Sequence, residues 1–273
     1  MSNLTFNDIT VLIVTYKSQK VLLKCLKNLR FLKKILILDN SKDFNLKSLI
    51  SRKYKNVKFF ISKNNVGYGA GNNFLLRKVR TKFAIILNPD CYISAKIVSK
   101  ILNFIKKSNI DFGVIGSKNE AKILEKRNIH KIKYFLCDYV KGFFMFLNLK
   151  NVKKTKFFDE NFFLYLEEID FCKRVKKSGY EVLAISDLEI KHLAGRSCGN
   201  REEYNKLQAW HWAWSQYYFS KKYKGSFLSL ILFIPKLLKY FFKSFYDEKK
   251  ELNSIKFNGL LASILKKKSF YRC

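Results

Sequence analysis

The sequence predicts an α/β protein: a sheet flanked by helices, with a C-terminal amphipathic helical extension. Three observations lead to this prediction. Short apolar runs alternate with segments of helical periodicity over residues 1–120, which is typical of strands joined by right-handed helical crossovers. Polar or acidic residues directly follow several of these runs, and a basic, apolar segment lies near the C-terminus. We therefore expect a sheet domain over residues 1–223 and a tail over residues 224–273.

The apolar runs have the length of buried parallel strands, which contain nearly continuous Val, Ile and Leu. In the first half they predict strands at residues 10–15, 35–38, 57–61, 83–87 and 112–115. Helical periodicity predicts helices at residues 20–29, 70–79 and 95–107. In the second half we expect strands at residues 139–149, 182–185 and 188–192, a basic helix within 158–178, and an aromatic-rich helix at 202–223.

The chain is strongly basic, with 54 Lys and Arg against 21 Asp and Glu and a net charge of +33. Such a charge attracts nucleic acid, anionic lipid or phosphorylated substrates, although lysine spread along the whole chain also fits a compositional bias. The sequence contains no ribonucleoprotein motif or zinc finger. We therefore predict no nucleic-acid partner, and a basic nucleic-acid-binding protein is kept only as an alternative function.

Neither the cysteines nor the N-terminus indicate export. The six cysteines have no zinc-knuckle or redox spacing, and a chain of 273 residues needs no disulfide framework to fold. Asp8 interrupts the N-terminal segment, and the apolar run at residues 11–14 is too short for a signal peptide. We expect a cytoplasmic protein with reduced cysteines.

Candidate site residues follow the predicted strands, where α/β sheets bind their ligands. They are Thr15, Tyr16, Asp39, Asn40, Asn88 and Asp90. Because Pro89 stops its strand, we expect Asp90 to be exposed at the sheet edge, where a carboxylate binds Mg²⁺ or Mn²⁺ and, through the metal, a diphosphate. The alternative is that Asn-Pro-Asp forms an ordinary turn at the end of the strand, since all three residue types favour turns.

Three glycines lie within residues 64–73, at the start of the third predicted helix. They permit close approach of a ligand to the backbone at a helix N-terminus, and their spacing fits neither a P-loop nor a dinucleotide fingerprint. An ordinary glycine-rich turn is the alternative. The candidate residues here are Asn65, Gly67, Gly69 and Asn72.

Three carboxylates lie within four residues, namely Glu167, Glu168 and Asp170. Like charges this close repel, which raises the pKa of one carboxyl and suits it to act as a general base. Acidic residues in a first helical turn also stabilise the helix dipole. His192 follows a predicted strand and is either a ligand for a metal or diphosphate, or a structural histidine.

Taken together, these segments resemble the family-2 inverting glycosyltransferases, and within them the rhamnosyltransferase-like branch, over roughly residues 8–220. Several motifs in the family's order carry the resemblance. They are Val14-Thr15-Tyr16, Asp39-Asn40-Ser41, residues 65–73, Asn88-Pro89-Asp90, Lys141-Gly142-Phe143-Phe144-Met145, residues 158–170 and residues 192–197. The resemblance implies a GT-A type nucleotide-binding sheet. It also implies inverting transfer of a sugar, rhamnose as the first guess, from a nucleotide-diphosphate sugar to a glycan or lipid-linked saccharide in cell-surface polysaccharide synthesis.

The resemblance also implies roles for the candidate residues. The base and ribose pocket would be lined by Thr15, Tyr16, Asp39 and Asn40, the segment 65–72 would close over the nucleotide, and Asn88 would contact the donor. Asp90 would hold the cation, and His192 would reach the metal or the leaving diphosphate. Glu168 would be the base, supported by Glu167 and Asp170.

Two positions depart from the family pattern. The usual pair is Glu-Asp where this chain has Glu167-Glu168, so the base sits on an arm one methylene longer and Asp170 is the fallback. The metal triplet begins with Asn88 instead of Asp, so the metal would rest on Asp90 and the diphosphate oxygens. A transferase with a soluble or protein acceptor, and an inactive family member, are the alternatives.

The C-terminal segment predicts a helix that lies at a membrane interface. Residues 227–235 are apolar but too short to span a bilayer, which needs about 20 apolar residues. Beyond Pro235, lysines at 236, 239 and 243 share one helical face and apolar residues share the other. We expect a peripheral protein at the inner face of the cytoplasmic membrane; a helix packed on its own domain and a dimer contact are the alternatives.

Overall fold

The computed structural model describes residues 4–129, 132–186, 188, 190–192 and 201–269, without the side chains of His192 and Arg201. Residues 193–197 of the predicted His192 motif therefore lie outside the described residues. The chain divides into two compact units, residues 4–158 with 168–192 and residues 159–167 with 201–269. A boundary after residue 223 stays a prediction, and the helices on both sides of that position belong to the second unit.

Within its described residues, the first unit holds a nine-stranded mixed sheet and a two-stranded sheet. The strands are β1 (Ile9–Thr15), β2 (Ile35–Asp39), β3 (Val57–Ile61), β4 (Phe83–Leu87), β5 (Cys91–Tyr92), β6 (Phe112–Gly116), β7 (Lys122–Ile129), β8 (Ile132–Tyr139), β9 (Phe144–Asn148), β10 (Glu181–Ile185) and β11 (Lys191–His192). The helices are α1 (Gln19–Asn28), α2 (Phe44–Lys53), α3 (Tyr68–Leu76), α4 (Ala95–Ser108), α5 (Leu149–Val152) and α6 (Glu167–Lys177). The predicted α/β sheet with flanking helices is confirmed.

The large sheet has the strand order β3-β2-β1-β4-β9-β6-β10-β8-β7. Strands β1 to β4 are parallel, so their carboxyl ends meet at one edge. Strand β9 lies between β4 and β6 and is antiparallel to both. A single strand over residues 139–149 is therefore wrong, because β8 ends at Tyr139 and the chain turns before β9 begins at Phe144.

Both faces of the central strands of this sheet are covered by packed side chains, and along each strand the side chains alternate between the two faces. In β1, Val11 and Ile13 belong to one apolar cluster and Leu12 to another. Helices α1, α2 and α4 supply the first cluster, and α3 and α6 supply the second. Each fully buried Val, Leu, Ile or Phe stabilises the fold by about 1.5–3 kcal/mol, so the strand ends are fixed by a well-packed scaffold.

The second unit contains a helical group formed by α7 (Arg201–Lys224), α8 (Ser226–Tyr246) and α9 (Lys250–Ile264). Helices α7 and α9 approach closely at Gly259, where an added Cβ would lie 2.4 Å from the carbonyl oxygen of Trp210. Ala213, Tyr217 and Leu260 form the buried centre of the group. Helix α8 runs through Pro235 without a break. None of the described helices is long and apolar enough to cross a bilayer.

Candidate functional site

The carboxyl ends of β1 and β2 bring the first predicted site residues together. Thr15 lies opposite Asp39 in the strand register, and the Asn40 N–H donates to the Thr15 carbonyl at 2.8 Å. The Asp39 carboxylate is buried and accepts from Ser41 Oγ at 2.6 Å and from the Asp43 N–H at 2.8 Å. Asp39 therefore holds the loop after β2 in shape. Tyr16 is half-buried, and its carbonyl accepts from Ser18 Oγ at 2.7 Å.

The glycine segment is fastened to the same strand end by Asn40. This buried side chain donates from Nδ2 to the Gly67 carbonyl at 3.2 Å and accepts at Oδ1 from the Val66 N–H at 3.5 Å. Asn65 Oδ1 accepts from the Gly67 N–H at 3.0 Å. Gly67 has φ 84°, a left-handed conformation that favours glycine, and it caps the N-terminus of α3. Two of the predicted donor residues thus shape the backbone of a third.

Helix α3 lies close to β1 because residue 71 has no side chain. A Cβ at Gly71 would meet the methyl groups of Val14 at 3.0 Å. Gly69 and Asn72 are both buried in this helix. Among the described residues, Thr15 Oγ1 and Asn72 Oδ1 are buried without a hydrogen-bond partner, a state that costs about 1–3 kcal/mol per group. A ligand that bonded to these atoms would recover that cost.

Asp90 follows the end of β4, but the expectation that it is exposed is wrong, because it is 1% exposed. The chain turns at Pro89 and continues into β5, which pairs with β11 so that Cys91 lies opposite His192. This pairing places the backbone of His192 beside Cys91, the residue after Asp90, so the two predicted metal residues are close in backbone position. Burial and the Asp90 charge raise the pKa of the Cys25 thiol to about 12.

The described residues contain no cluster of three or more His, Cys, Asp or Glu side chains able to hold a metal by themselves. Mg²⁺ is commonly bound through one or two carboxylates together with substrate phosphates. The single buried carboxylate of Asp90, beside the backbone of His192, fits a site of this kind, in which the phosphates of the donor complete the metal coordination.

A turn at residues 141–143 links Asn88 to Glu168. The Asn88 N–H donates to the Phe143 carbonyl at 2.9 Å. On the adjacent residue, the Gly142 carbonyl accepts from the Tyr68 hydroxyl at 2.5 Å, and a Cβ at Gly142 would lie 3.5 Å from the Glu168 Cβ. This turn therefore touches the residue that begins the metal triplet, the glycine segment and the predicted base.

Glu168 is 8% exposed, and Lys141 Nζ lies 3.6 Å from its Oε1. Burial raises the pKa of the Glu168 carboxyl, and the Lys141 charge opposes that increase. The elevation thus comes mainly from desolvation, whereas the sequence suggested repulsion between neighbouring carboxylates. A carboxyl with a raised pKa has the basicity that proton abstraction requires.

The other two carboxylates of the acidic segment have different surroundings. Asp170 is fully buried and accepts from Arg174 Nε at 2.8 Å, an ion pair within α6. Glu167 is also buried, and it belongs to the second compact unit. The residues before it, Tyr165 and Leu166, have φ 72° and 68°, values that are uncommon for residues other than glycine and mark local strain.

Lys141 and Tyr68 are contact residues that the sequence-based site assignment did not include. Both lie inside motifs that carried the resemblance, but neither has a residue type or spacing that indicates chemistry by itself. Only the turn before β9, beside the carboxyl end of β4, brings them to Glu168. Recognising the Lys-Gly pair as a turn that follows one strand and precedes another was the available signal.

Comparison with known proteins finds two similar glycosyltransferases among those with an assigned activity. The chain is 23% identical over 202 residues to a low-salt glycan biosynthesis hexosyltransferase, Agl10, of Haloferax volcanii, and the match covers 64% of each chain. It is 23% identical over 237 residues to the rhamnosyltransferase WbbL of Escherichia coli K12, covering 74% of this chain and 88% of that protein.

Among solved structures, the mannosyltransferase PcManGT from Pyrobaculum calidifontis, in complex with GDP-Man and Mn²⁺, matches with a TM-score of 0.60. The match has 10% identity and covers 96% of this chain and 88% of the other. The fold is thus the GT-A fold that the resemblance implied. The family model described as glycosyl transferase family 2 matches residues 10–171, more than half of the chain, and the chain therefore belongs to the family-2 glycosyltransferases.

Proposed function

We propose that this protein transfers a sugar, rhamnose as the first candidate, from a nucleotide-diphosphate sugar to a glycan or lipid-linked saccharide, with inversion, in cell-surface polysaccharide synthesis. Family membership and the rhamnosyltransferase among its relatives support the proposal. The observation that carries it is the continuous series of contacts from Thr15 and Asn40, through the glycine segment and the turn at 141–143, to Glu168.

In the proposed mechanism, Glu168 accepts the proton of an acceptor hydroxyl. The acceptor oxygen forms a bond to the anomeric carbon as the bond from that carbon to the diphosphate breaks, so one displacement inverts the centre and the nucleotide diphosphate leaves. Thr15, Asn72 and the backbone around Gly67 hold the donor through polar contacts. Asp170 and Glu167 support the base, and the Asp170–Arg174 ion pair fixes the first turns of α6.

Asp90 is the residue we propose for the divalent cation, with His192 beside it. When bound, Mg²⁺ or Mn²⁺ supplies charge neutralisation to the departing diphosphate. The neighbour with GDP-Man and Mn²⁺ supports a divalent cation in this fold. Asn88 orients the turn that presents Asp90, because its N–H is fixed to the Phe143 carbonyl.

A panel of dTDP-, UDP- and GDP-linked sugars tests the function. With Mn²⁺ present, the true donor is expected to raise the thermal stability of the protein, by about 2.7 kcal/mol at a hundredfold excess over its Kd. The same donor should release its nucleotide when an acceptor saccharide is added, and NMR of the product should show the inverted anomeric configuration.

Oligonucleotides serve as the comparison in that experiment. Stabilisation by oligonucleotides alone, falling steeply with salt, would assign the chain to nucleic-acid binding instead. Transfer to a peptide or a water-soluble sugar, with none to a lipid-linked saccharide, would replace the acceptor we propose.

We also propose that helix α8 binds the inner face of the cytoplasmic membrane. We call its exposed large apolar side chains the α8 apolar surface. They are Phe227, Leu228, Leu230, Ile231, Leu232, Ile234, Leu238, Phe241, Phe242, Phe245 and Tyr246. Phe227 is 81% exposed and Phe245 is 68% exposed. This apolar area, on a chain of net charge +33, suits an anionic lipid surface.

The lysines of α8 are arranged differently from the simple two-faced helix that the sequence suggested. Lys236 is half-buried and donates to Gln216 Oε1 on α7, and its burial lowers the pKa of its ammonium. Lys243 pairs with Asp247 at 3.2 Å, while Lys239 is exposed. The apolar surface, with basic residues elsewhere on the chain, is therefore the main contribution that we assign to lipid binding.

Replacing Phe242 and Phe245 with Glu is expected to reduce binding to vesicles of anionic lipid by tenfold or more. Burial of one Phe contributes about 1.5–3 kcal/mol, and about 1.4 kcal/mol is a factor of ten. Vesicle sedimentation measures the effect. Point variants are preferable to truncation after Tyr223, which removes two helices that pack on α7.

Phe44→Glu is the matched control, because Phe44 is 66% exposed on α2 of the first unit. It should bind vesicles as the wild type does. Unchanged vesicle binding by the double variant would contradict the membrane proposal. A change from dimer to monomer in the double variant would assign the α8 apolar surface to a second copy of the chain.

A further inference from the structure

Glu168 is held in a setting that disfavours its charged form. Its carboxyl is buried, and burial raises its pKa. A base must be deprotonated before it accepts a proton, and a nearby positive charge or hydrogen bonds to the carboxylate favour the charged form of a buried carboxyl. Within the described residues, the cation that we find beside Glu168 is Lys141.

Lys141 is held by its side chain, whose Nζ lies 5.5 Å from the centre of the Tyr139 ring, and by the backbone of the turn that follows it. It precedes Gly142, whose carbonyl accepts from the Tyr68 hydroxyl, and Phe143, whose carbonyl accepts from the Asn88 N–H. Gly142 has little free space, because an added Cβ would lie 3.3 Å from the Tyr68 ring. Two hydrogen bonds from separate elements thus fix the turn that presents the ammonium group.

In the part of the chain that the structure describes, the other titratable groups we find around Glu168 carry no positive charge. Cys172 lies one helical turn further along α6, and burial, with a smaller contribution from the Glu168 charge, raises the pKa of its thiol. The Tyr68 hydroxyl donates to the Gly142 carbonyl. Glu167 precedes Glu168 and would add negative charge if ionised. The backbone N–H groups of Glu168 and Ile169 also lower the pKa of this carboxyl, and Lys141 supplies the positive charge that opposes its desolvation.

We propose that Lys141 is a positioning residue whose ammonium group keeps the Glu168 carboxylate charged and oriented toward the acceptor hydroxyl. This inference rests on the proposed function, in which Glu168 is the base of the transfer reaction. In this proposal, the Lys-Gly turn before β9 positions the base. The Tyr68–Gly142 hydrogen bond links the glycine segment to that turn.

The pH profile of kcat/KM tests the proposal, because its acidic limb reports the pKa of the essential base in the free enzyme. Removing a positive charge within about 4–6 Å of a carboxylate raises its pKa by roughly one unit or more. In Lys141→Gln the acidic limb is therefore expected to move to higher pH by about one unit. Below both pKa values, activity expressed as a fraction of each enzyme's own plateau should therefore be about tenfold lower in the variant than in the wild type.

Three further variants separate charge from structure. Lys141→Arg keeps the charge and should restore the acidic limb to within a few tenths of a unit of the wild-type position, whereas Lys141→Met removes the charge with a side chain of similar length and should behave like Lys141→Gln. Lys150→Gln removes one exposed charge from α5 and should leave the profile unchanged. An acidic limb that stays in place in both uncharged variants, with folding intact, would overturn the inference.

A carboxyl titration separates this inference from the proposed function. The ¹³C resonance of the Glu168 side chain, assigned by its loss in Glu168→Gln, should titrate at higher pH in Lys141→Gln than in the wild type. If that shift occurs and no nucleotide sugar is turned over by the wild type, the pairing of Lys141 with Glu168 stands and the transferase proposal fails. If the wild type transfers sugar but the Glu168 resonance titrates at the same pH in both proteins, the transferase proposal stands and the pairing of Lys141 with Glu168 fails.

Discussion

Glu168→Gln is expected to reduce sugar transfer by about 10²–10⁴-fold, the usual contribution of a general base. The amide has nearly the shape of the carboxylate but cannot accept the acceptor proton. Because the base acts in the transition state, kcat and kcat/KM should fall by the same factor. Stabilisation by the donor nucleotide should persist, since Glu168 has no proposed contact with the nucleotide. Steady-state kinetics and thermal denaturation measure the two effects.

Glu181→Gln is the control for this prediction. Glu181 is an exposed glutamate at the start of β10, and its variant should transfer sugar at the wild-type rate. Transfer at the wild-type rate in Glu168→Gln, combined with loss in a folded Asp170→Asn, would move the base to Asp170. Loss of donor binding in Glu168→Gln would instead indicate that Glu168 belongs to the donor site.

Asp90→Asn is expected to abolish the Mn²⁺-dependent part of donor binding and to lower transfer at least a hundredfold. A neutral amide is a poorer ligand for a hard divalent cation than a carboxylate, and the other ligands we propose are His192 and the diphosphate itself. Loss of the cation leaves the departing diphosphate without charge compensation, an electrostatic effect of about 10²–10³ in comparable sites. Thermal stability with UDP or GDP, with and without Mn²⁺, measures the binding.

Asp138→Asn is the control, and it tests whether the loss of a carboxylate elsewhere in the protein also reduces Mn²⁺-dependent donor binding. Asp138 is paired with Lys122 at 3.2 Å and Lys176 at 3.3 Å, so its variant should lose a modest amount of stability and keep the full Mn²⁺-dependent shift. An undiminished Mn²⁺-dependent shift in Asp90→Asn would show that the cation is held elsewhere.

Several strands were predictable because a strand that is buried on both faces of the sheet has a continuous run of apolar residues. The run at residues 83–87 coincides with β4, in which every residue is buried. The hairpin of β7 and β8 was missed because nearly every side chain of β7 is exposed and many are charged, so no hydrophobic pattern marks it. Helix α2 was also missed, although Asp43 caps it by accepting from the Leu46 N–H at 2.8 Å.

The candidate site was predictable where residues follow a strand and unpredictable where they depend on a distant partner. Thr15, Asp39 and Asn40 could be located from the ends of their strands alone. The position of Asp90 beside the backbone of His192 could not be located in this way, because β11, which pairs with the strand after Asp90, lies about a hundred residues further along. Lys141 could not be assigned either, since its contact with Glu168 depends on the turn preceding a strand inserted between β4 and β6.

The inserted strand also has a consequence for how the chain is made. Until residues 144–148 have emerged from the ribosome, β4 and β6 each have an open edge, because β9 is their shared neighbour. Open edges are templates for pairing with another chain, and the pairing of distant segments makes folding slow. The nascent polypeptide is therefore most vulnerable to self-association during a definite interval of translation. Strand β9 closes the open edge of β4, and the remaining edge of β6 closes only when β10 (Glu181–Ile185) has been made.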